Sequence, residues 1–170
     1  YGMMAHWGLY SVLAGEYRGR RVYDYAEWIQ SFMRIPNAEY GALAKCFNPV
    51  YFNADEWIRL AKDCGMQYFV ITSKHHDGFA NWPSKYTEYS VKNSPWKDGK
   101  GDVVREFTDA CRKYDLKVGL YYSPAQFGSV KMAPKEYDDY FINQISELLT
   151  NYGKIDYLWF DGCGSEGHEY

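Results

Sequence analysis

Four short apolar runs recur along the chain, each rich in aromatic or β-branched residues. Such runs are typical of parallel strands that helices cover on both faces. They predict buried strands at residues 2–7, 67–73, 117–123 and 155–160.

Between these runs, apolar residues follow the three- and four-residue spacing of amphipathic helices. Asn53 and Asp102 each precede such a segment and are expected to cap it. A third helix is predicted at about residues 134–152, and two shorter helices are predicted near 25–32 and 38–46. The side chains of the third helix that we expect to face the core are Tyr137, Phe141, Ile145, Leu148 and Leu149.

Strands that alternate with helices predict βαβ units and an α/β fold with a parallel sheet. Such a sheet is either open and doubly wound or closed as a (β/α)8 barrel. No glycine-rich phosphate-binding motif follows any strand, which weakens the case for a nucleotide-binding open sheet. Every strand instead ends in polar residues or directly precedes them, and the catalytic groups of a barrel lie at the carboxyl ends of its strands. These residues are His6, His75, His76, Ser123 and Asp161.

The length of the chain limits how much of a barrel it can form. A whole barrel needs roughly 250 residues, whereas this chain has 170 residues. We therefore expect residues 1–170 to be a partial catalytic domain, the N-terminal half of a (β/α)8 barrel with about four βα units. The chain also opens at Tyr1 without an initiating methionine or a signal peptide, as a piece of a longer protein would.

Composition and charge narrow the function classes. The net charge of −3 and a pI near 5.8 give no basic footprint for nucleic acid. No run of 18 apolar residues exists that could span a membrane. The cysteines are widely spaced and form no C-x-x-C pair, so we expect free thiols at Cys46, Cys64, Cys111 and Cys163. Aromatic residues make up 19% of the chain, which suits either a bulky core or sugar stacking. The sequence leaves open whether the protein assembles as a homo-oligomer.

Residues 72–82 read TSKHHDGFANW and place two adjacent histidines where a predicted strand ends. From an extended backbone, His75 and His76 cannot both point the same way. We therefore expect one to face the barrel mouth and the other to come round at the loop. Gly78 permits a tight turn there, and Asp77 either orients an imidazole or caps the loop.

More than one chemistry fits these side chains. His6, His75, His76 and Asp161 offer the nitrogen and oxygen ligands of a metal site. Metal-dependent barrel hydrolases, however, typically carry an H-x-H pair on the first strand, which here reads AHWG. Three imidazoles and several aromatic rings around one carboxylate also suit a polyhydroxylated ligand, and we favour that interpretation. Asp161 then serves as nucleophile or base, or else caps the turn that follows it.

A series of motifs extends from residue 1 to about residue 162. They are HWGLYS (6–11), EWI (27–29), AEY (38–40), FNP (47–49), EWIRLAKDCG (56–65), KHHDGF (74–79), GLYYS (119–123) and WFDG (159–162). In this combination and order, they resemble the α-L-fucosidases of glycoside hydrolase family 29.

The resemblance implies a (β/α)8-like catalytic domain that removes terminal α-linked L-fucose from glycans by a retaining double displacement. It implies that Asp161 is the nucleophile, and it implies no metal or cofactor. It also suggests a secreted, periplasmic or lysosomal protein. The residues that it places around fucose are His6, His75, His76 and Tyr121, with Trp7, Glu16 and Trp82 as further candidates.

The resemblance further implies an acid/base glutamate some tens of residues beyond the nucleophile, which lies past residue 170. Glu166 and Glu169 are not assigned that role. We accordingly expect the 170-residue chain alone to be inactive and poorly stable, because half a barrel leaves two sheet edges open. Two other hypotheses remain, a non-catalytic carbohydrate-binding barrel protein and a metal-dependent barrel hydrolase.

Overall fold

The computed structural model describes residues 1–127 and 132–162. In this part of the chain, four parallel strands form one sheet, and two short strands form a separate antiparallel hairpin. The sheet contains β1 (Gly2–Ala5), β4 (Tyr68–Lys74), β5 (Lys117–Tyr122) and β6 (Tyr157–Phe160). The hairpin, which the sequence pattern did not predict, contains β2 (Glu16–Tyr17) and β3 (Arg20–Arg21).

The same residues form six α-helices, and 3₁₀ turns extend two of them. The helices are α1 (Tyr10–Leu13), α2 (Ile29–Phe32), α3 (Asn37–Gly41), α4 (Ala54–Asp63), α5 (Val103–Lys113) and α6 (Pro134–Asn151). The 3₁₀ turns are Ala26–Trp28 before α2, Ala42–Cys46 after α3, Val91–Asn93 and Trp96–Gly99. None of the helices in the described residues is long and apolar enough to cross a membrane.

Local sequence signals explain where the two central helices begin. The Asn53 side chain accepts a hydrogen bond from the Glu56 amide at 3.2 Å, and the Asp102 side chain accepts one from the Arg105 amide at 2.8 Å. Each bond satisfies a backbone donor that the first helical turn leaves free. Both predicted caps are therefore confirmed.

The order of the strands bears on the choice between the two α/β architectures. In the sheet of the described residues, β1, β4, β5 and β6 are neighbours in that order, so the sheet follows the chain without a reversal. A doubly wound sheet reverses its strand order at a switch point, whereas a barrel does not. The predicted α/β class with a parallel sheet is confirmed, and closure into a barrel stays a prediction.

The prediction that all four strands are buried on both faces is correct only for β4 and β5, apart from the first residue of each. It is wrong for β1 and β6, where Met3, Tyr157, Trp159 and Phe160 are exposed. The reason is their position, because β1 and β6 are the two edges of the sheet that the described residues form.

The inward face of α6 differs from the prediction. Tyr137 and Leu148 are buried as expected, but Leu149 is exposed. Gln144 and Glu147 are buried instead, because both find hydrogen-bond partners beneath the helix.

The prediction of free thiols is confirmed for the three cysteines among the described residues, Cys46, Cys64 and Cys111. Cys163, Glu166 and Glu169 lie outside the described residues.

Candidate active site

The carboxyl ends of the strands bring five predicted residues together: His6, His75, His76, Tyr121 and Asp161. We call them the His–Tyr–Asp cluster. The His6 ring meets the rings of His75 and Tyr121 edge-on, with centroids 4.9 and 4.7 Å away, and His75 stacks on Tyr121 at 5.3 Å. The Tyr121 hydroxyl donates to Asp161 Oδ2 at 2.5 Å. Because the strands are parallel, side chains distant in sequence share one edge of the sheet.

A tight turn delivers both adjacent histidines to this cluster. The Gly78 amide donates to the His75 carbonyl at 3.0 Å, and Gly78 has a φ of +80°, which glycine adopts without strain. The two imidazole centroids lie 4.3 Å apart, and His76 Nε2 lies 3.6 Å from Asp161 Oδ2. Both rings reach the cluster, although adjacent residues of an extended strand would point to opposite faces, because β4 ends at Lys74 and the pair lies in the turn that follows.

The Asp77 side chain stabilises the turn that follows the two histidines. Its Oδ2 accepts from the Tyr40 hydroxyl at 2.9 Å, and its Oδ1 accepts from the Phe79 amide at 3.0 Å. The side chain therefore caps the loop, the second of the two roles the sequence allowed. Burial raises the pKa of Asp77 to about 6, although these hydrogen bonds and the charge of Lys74 oppose the shift.

Lys74 is fully buried directly before the histidine pair. Its Nζ lies 4.5 Å from the ring centroid of Tyr122 and has no hydrogen-bond partner among the described residues. Burial lowers the pKa of Lys74 to about 7, and the charge of Asp77 opposes that shift. The aromatic face partly replaces the solvation that the ammonium group loses.

Burial also determines the protonation of the imidazoles. Burial, together with the neighbouring His76, His6 and Lys74, lowers the pKa of His75 to about 2. Burial lowers the pKa of His6 as well, while the carboxylates of Glu27 and Asp161 act in the opposite direction. Neutral imidazoles both donate and accept hydrogen bonds, so these two rings suit the hydroxyls of a polar, uncharged ligand.

Asp161 is the solvent-facing member of the cluster. Its side chain is 36% exposed, whereas the His76 side chain beside it is 4% exposed. Burial raises the pKa of Tyr121 well above its usual value, and the hydrogen bond to Asp161 raises it further. Tyr121 thus remains a hydroxyl donor to a carboxylate that an incoming ligand can reach. A carboxylate placed in this way can act as nucleophile or base.

The same geometry is compatible with a metal ion. One ligand atom each from His75, His76 and Asp161 lie within 4.8 Å of one another. Two imidazoles and a carboxylate form a donor set that binds zinc and other transition metals.

Two of the further candidates lie away from the cluster. Trp7 follows His6 directly, but its side chain lies in a separate aromatic group. Its ring packs against Phe52, with centroids 4.6 Å apart, and the neighbouring Phe47 and Trp57 complete an aromatic core. Glu16 is exposed on the β2–β3 hairpin, where it lies 3.7 Å from Arg21. The structure does not bring either residue to the His–Tyr–Asp cluster.

Trp82 is also separate from the cluster. Its side chain is 1% exposed, and its Nε1 donates to Glu147 Oε2 of α6 at 3.1 Å. The indole is thus enclosed between the loop after β4 and α6. Its position in TSKHHDGFANW suggested the pocket, but the chain turns away from the cluster after Gly78.

The sequence profile of the α-L-fucosidase family matches residues 1–169. The chain belongs to the α-L-fucosidase family. Among curated relatives, α-L-fucosidase 1 of Arabidopsis thaliana is 44% identical over 124 residues, which is 72% of this chain and 24% of that protein.

Solved α-L-fucosidases share the fold of the chain. The Lactobacillus casei enzyme in complex with α-L-fucose product has a TM-score of 0.84 and 46% identity, over 98% of this chain and 60% of that one. A Bacteroides thetaiotaomicron family 29 enzyme, trapped as a covalent intermediate with 2-fluoro-fucosyl fluoride, has a TM-score of 0.85 and 32% identity. That match covers 95% of this chain and 38% of the other. The chain therefore spans less than two thirds of each of these α-L-fucosidases.

Glu27 and Trp28 were not predicted as site residues, although both lie beside the His–Tyr–Asp cluster. Trp28 lies edge-on to His76 with centroids 5.0 Å apart, and its ring also meets Phe127 at 5.1 Å. The charge of Glu27 acts on both His6 and Tyr121. The available signal was the EWI motif of the α-L-fucosidase resemblance. In the structure, Glu27 and Trp28 lie on the 3₁₀ turn before α2.

Proposed function

We propose that the protein is a retaining α-L-fucosidase and that Asp161 is its nucleophile. The observation that carries this proposal is the pairing of Asp161 with Tyr121 at the open side of a histidine-lined cluster. Membership of the α-L-fucosidase family supports the substrate class. The relative trapped as a covalent intermediate with 2-fluoro-fucosyl fluoride supports a covalent route.

In the proposed mechanism, a carboxylate oxygen of Asp161 attacks the anomeric carbon of a terminal α-fucosyl residue. The bond from this carbon to the leaving oxygen breaks, and a carboxylic acid protonates that oxygen as an ester to Asp161 forms. Water then attacks the same carbon, gives up a proton to the group that first acted as acid, and releases fucose with Asp161 restored. Tyr121 donates its hydrogen bond to Asp161 and orients the attacking carboxylate.

The remaining groups hold the sugar. Neutral His6 and His75, together with His76, bind its hydroxyls, and Trp28 provides an aromatic wall beside His76. Glu27 adds a second acidic group next to His6. We expect the proton donor outside residues 1–170, together with strands that close the sheet into a barrel. On this view, the 170-residue chain alone does not turn over substrate.

Hydrolysis of 4-nitrophenyl α-L-fucoside by the full-length protein tests the proposal. We expect release of nitrophenol, and proton NMR taken before mutarotation should show α-L-fucose as the first sugar product. The β-anomer as first product would contradict the retaining route. Tight fucose binding without nitrophenol release would instead identify a carbohydrate-binding protein.

A metal-dependent hydrolase is the second candidate, because His75, His76 and Asp161 offer ligand atoms within 4.8 Å of one another. A chelator distinguishes the two functions. A metal enzyme loses turnover on chelation and regains it with zinc, whereas our proposal expects the same rate before and after chelation.

A further inference from the structure

The Thr72 hydroxyl of β4 makes three hydrogen-bond contacts at the edge of the site. It lies 3.2 Å from the Ala5 carbonyl oxygen, 3.3 Å from the Trp7 amide nitrogen and 3.1 Å from His6 Nδ1. A carbonyl oxygen can only accept a hydrogen bond, an amide nitrogen can only donate one, and an imidazole nitrogen can do either.

Counting hydrogens gives one arrangement in which all three contacts of Thr72 are hydrogen bonds. A hydroxyl has one hydrogen and two acceptor sites. If the hydrogen points to Ala5, the two lone pairs accept from the Trp7 amide and from a protonated His6 Nδ1. If it pointed to His6 instead, two oxygen lone pairs would face each other at the Ala5 carbonyl. The favoured arrangement therefore places a hydrogen on His6 Nδ1.

Ser123, directly after β5, is a similar hydroxyl anchor beside the second histidine. Its Oγ lies 2.8 Å from the Ala125 carbonyl oxygen, 3.3 Å from the Asp161 carbonyl oxygen and 2.5 Å from His76 Nδ1. Two of these neighbours can only accept, and the single hydroxyl hydrogen satisfies the nearer one. The short contact to His76 is then a bond that His76 Nδ1–H donates.

We propose that Thr72 and Ser123 are positioning residues that keep a hydrogen on Nδ1 of His6 and on Nδ1 of His76. Nε2 of the neutral His6 ring then carries the lone pair and accepts a hydrogen bond, whereas Nε2 of His76 lies 3.6 Å from Asp161 Oδ2. The proposal deepens the proposed function, and only the identity of the ligand rests on it: one hydroxyl of the sugar acts as a donor toward His6. Both anchors are themselves held by backbone carbonyls, so the two Nδ1 hydrogens are in place before the ligand arrives.

His75 provides an internal contrast. Its Nδ1 is buried without a hydrogen-bond partner among the described residues. No side-chain hydroxyl among the described residues bonds this atom in the way that Thr72 and Ser123 bond Nδ1 of the other two rings. The arrangement thus distinguishes two rings that are anchored at Nδ1 from one that is not.

Nitrogen NMR of the full-length protein, labelled with ¹⁵N-histidine and free of ligand, reads the tautomers directly. Long-range proton–nitrogen correlations distinguish Nδ1–H from Nε2–H, and the variants His6→Asn and His76→Asn assign the two rings by loss of their signals. We expect a hydrogen on Nδ1 of both rings. A major species of either ring without a hydrogen on Nδ1 would overturn the proposal.

Kinetics then test whether the anchors matter to the reaction. Thr72→Val and Ser123→Ala should each leave an imidazole N–H without its acceptor and lower kcat/KM roughly tenfold to a hundredfold. Thr72→Ser and Ser123→Thr, which retain the hydroxyl, should restore most of that loss and the wild-type tautomer signals. Unchanged tautomers and unchanged kcat/KM in Thr72→Val and Ser123→Ala would overturn the proposal. If the wild-type protein fails to cleave the fucoside but shows the expected tautomers, the proposed function fails and the tautomer assignment stands.

Discussion

Two buried polar clusters lie on opposite sides of β5, and they differ in one instructive respect. Tyr121 and Tyr122 are consecutive in the strand, so their side chains point to opposite faces. Tyr121 belongs to the His–Tyr–Asp cluster. Tyr122 belongs to a second set, which we call the Glu147 cluster: Trp82, Ser84, Tyr122, Gln144 and Glu147.

The Glu147 cluster satisfies its own hydrogen bonds. Glu147 Oε2 accepts from Trp82 Nε1 at 3.1 Å and from Ser84 Oγ at 2.7 Å, and Oε1 accepts from the Lys85 amide at 2.9 Å. Gln144 accepts from the Tyr122 hydroxyl at 2.7 Å and donates to Ser84 at 3.2 Å. This closed set joins α6 to the sheet and to the loop after β4.

The His–Tyr–Asp cluster is open by comparison. The Asp161 side chain is 36% exposed, and the buried Nδ1 of His75 has no hydrogen-bond partner among the described residues. Buried polar groups normally find partners, so such remaining capacity is costly unless a ligand uses it. The contrast teaches that hydrogen-bond saturation, rather than polarity alone, separates a structural polar cluster from a binding site.

Replacement of Asp161 should have the largest effect. Asp161→Gly removes the proposed nucleophile and should lower kcat for an aryl α-fucoside by about 10⁴-fold or more. Added azide should restore part of the rate, because a small anion can occupy the space that the carboxylate leaves. Asp98→Gly is the matched control, since Asp98 is exposed with a φ of +55° that glycine readily adopts. Wild-type turnover in Asp161→Gly would exclude Asp161 as nucleophile.

The two neighbouring tyrosines offer a direct test of the comparison. Tyr121→Phe removes the hydrogen bond to Asp161 and should lower kcat roughly tenfold to a hundredfold with little loss of stability. Tyr122→Phe removes the hydrogen bond to Gln144 and should instead lower the free energy of unfolding by about 1–2 kcal/mol. Steady-state kinetics and urea unfolding of both variants measure the two effects. If the effects were exchanged, the distinction between the clusters would be wrong.

The sequence predicted more of the open cluster than of the closed one. Polar residues after apolar strands marked His6, His75, His76 and Asp161, because parallel strands bring their carboxyl ends to one edge. Trp82 was wrongly expected in the pocket. The turn at Gly78 changes the direction of the chain, and the local pattern of apolar and polar residues does not reveal such a change. Leu149 of α6 was wrongly predicted to face the core for a related reason. Gln144 and Glu147 are buried in that face instead, because they find hydrogen-bond partners distant in sequence. Hydrogen-bond saturation depends on such long-range partners, which local periodicity does not contain.

Glu147→Gln tests whether the closed cluster is structural. The amide offers only one acceptor atom and turns an NH₂ group toward a donor, so the free energy of unfolding should fall by about 1–3 kcal/mol. Turnover per folded molecule should stay at the wild-type level. Glu136→Gln, an exposed change on the same helix, controls for loss of charge. A large loss of kcat without destabilisation would place Glu147 in the reaction and contradict its structural role.

The smallest effects come from one substitution made beside the His–Tyr–Asp cluster and again within the Glu147 cluster. Trp28→Phe shortens the aromatic wall beside His76 and should raise KM a few-fold, with stability nearly unchanged. Trp82→Phe removes one donor to Glu147 and should lower the free energy of unfolding by about 1 kcal/mol, with KM unchanged. Because the chemical change is identical, any difference reports the surroundings alone. A raised KM in Trp82→Phe would return Trp82 to the pocket, as first expected from its place in TSKHHDGFANW, and would show that a saturated polar cluster can also take part in binding.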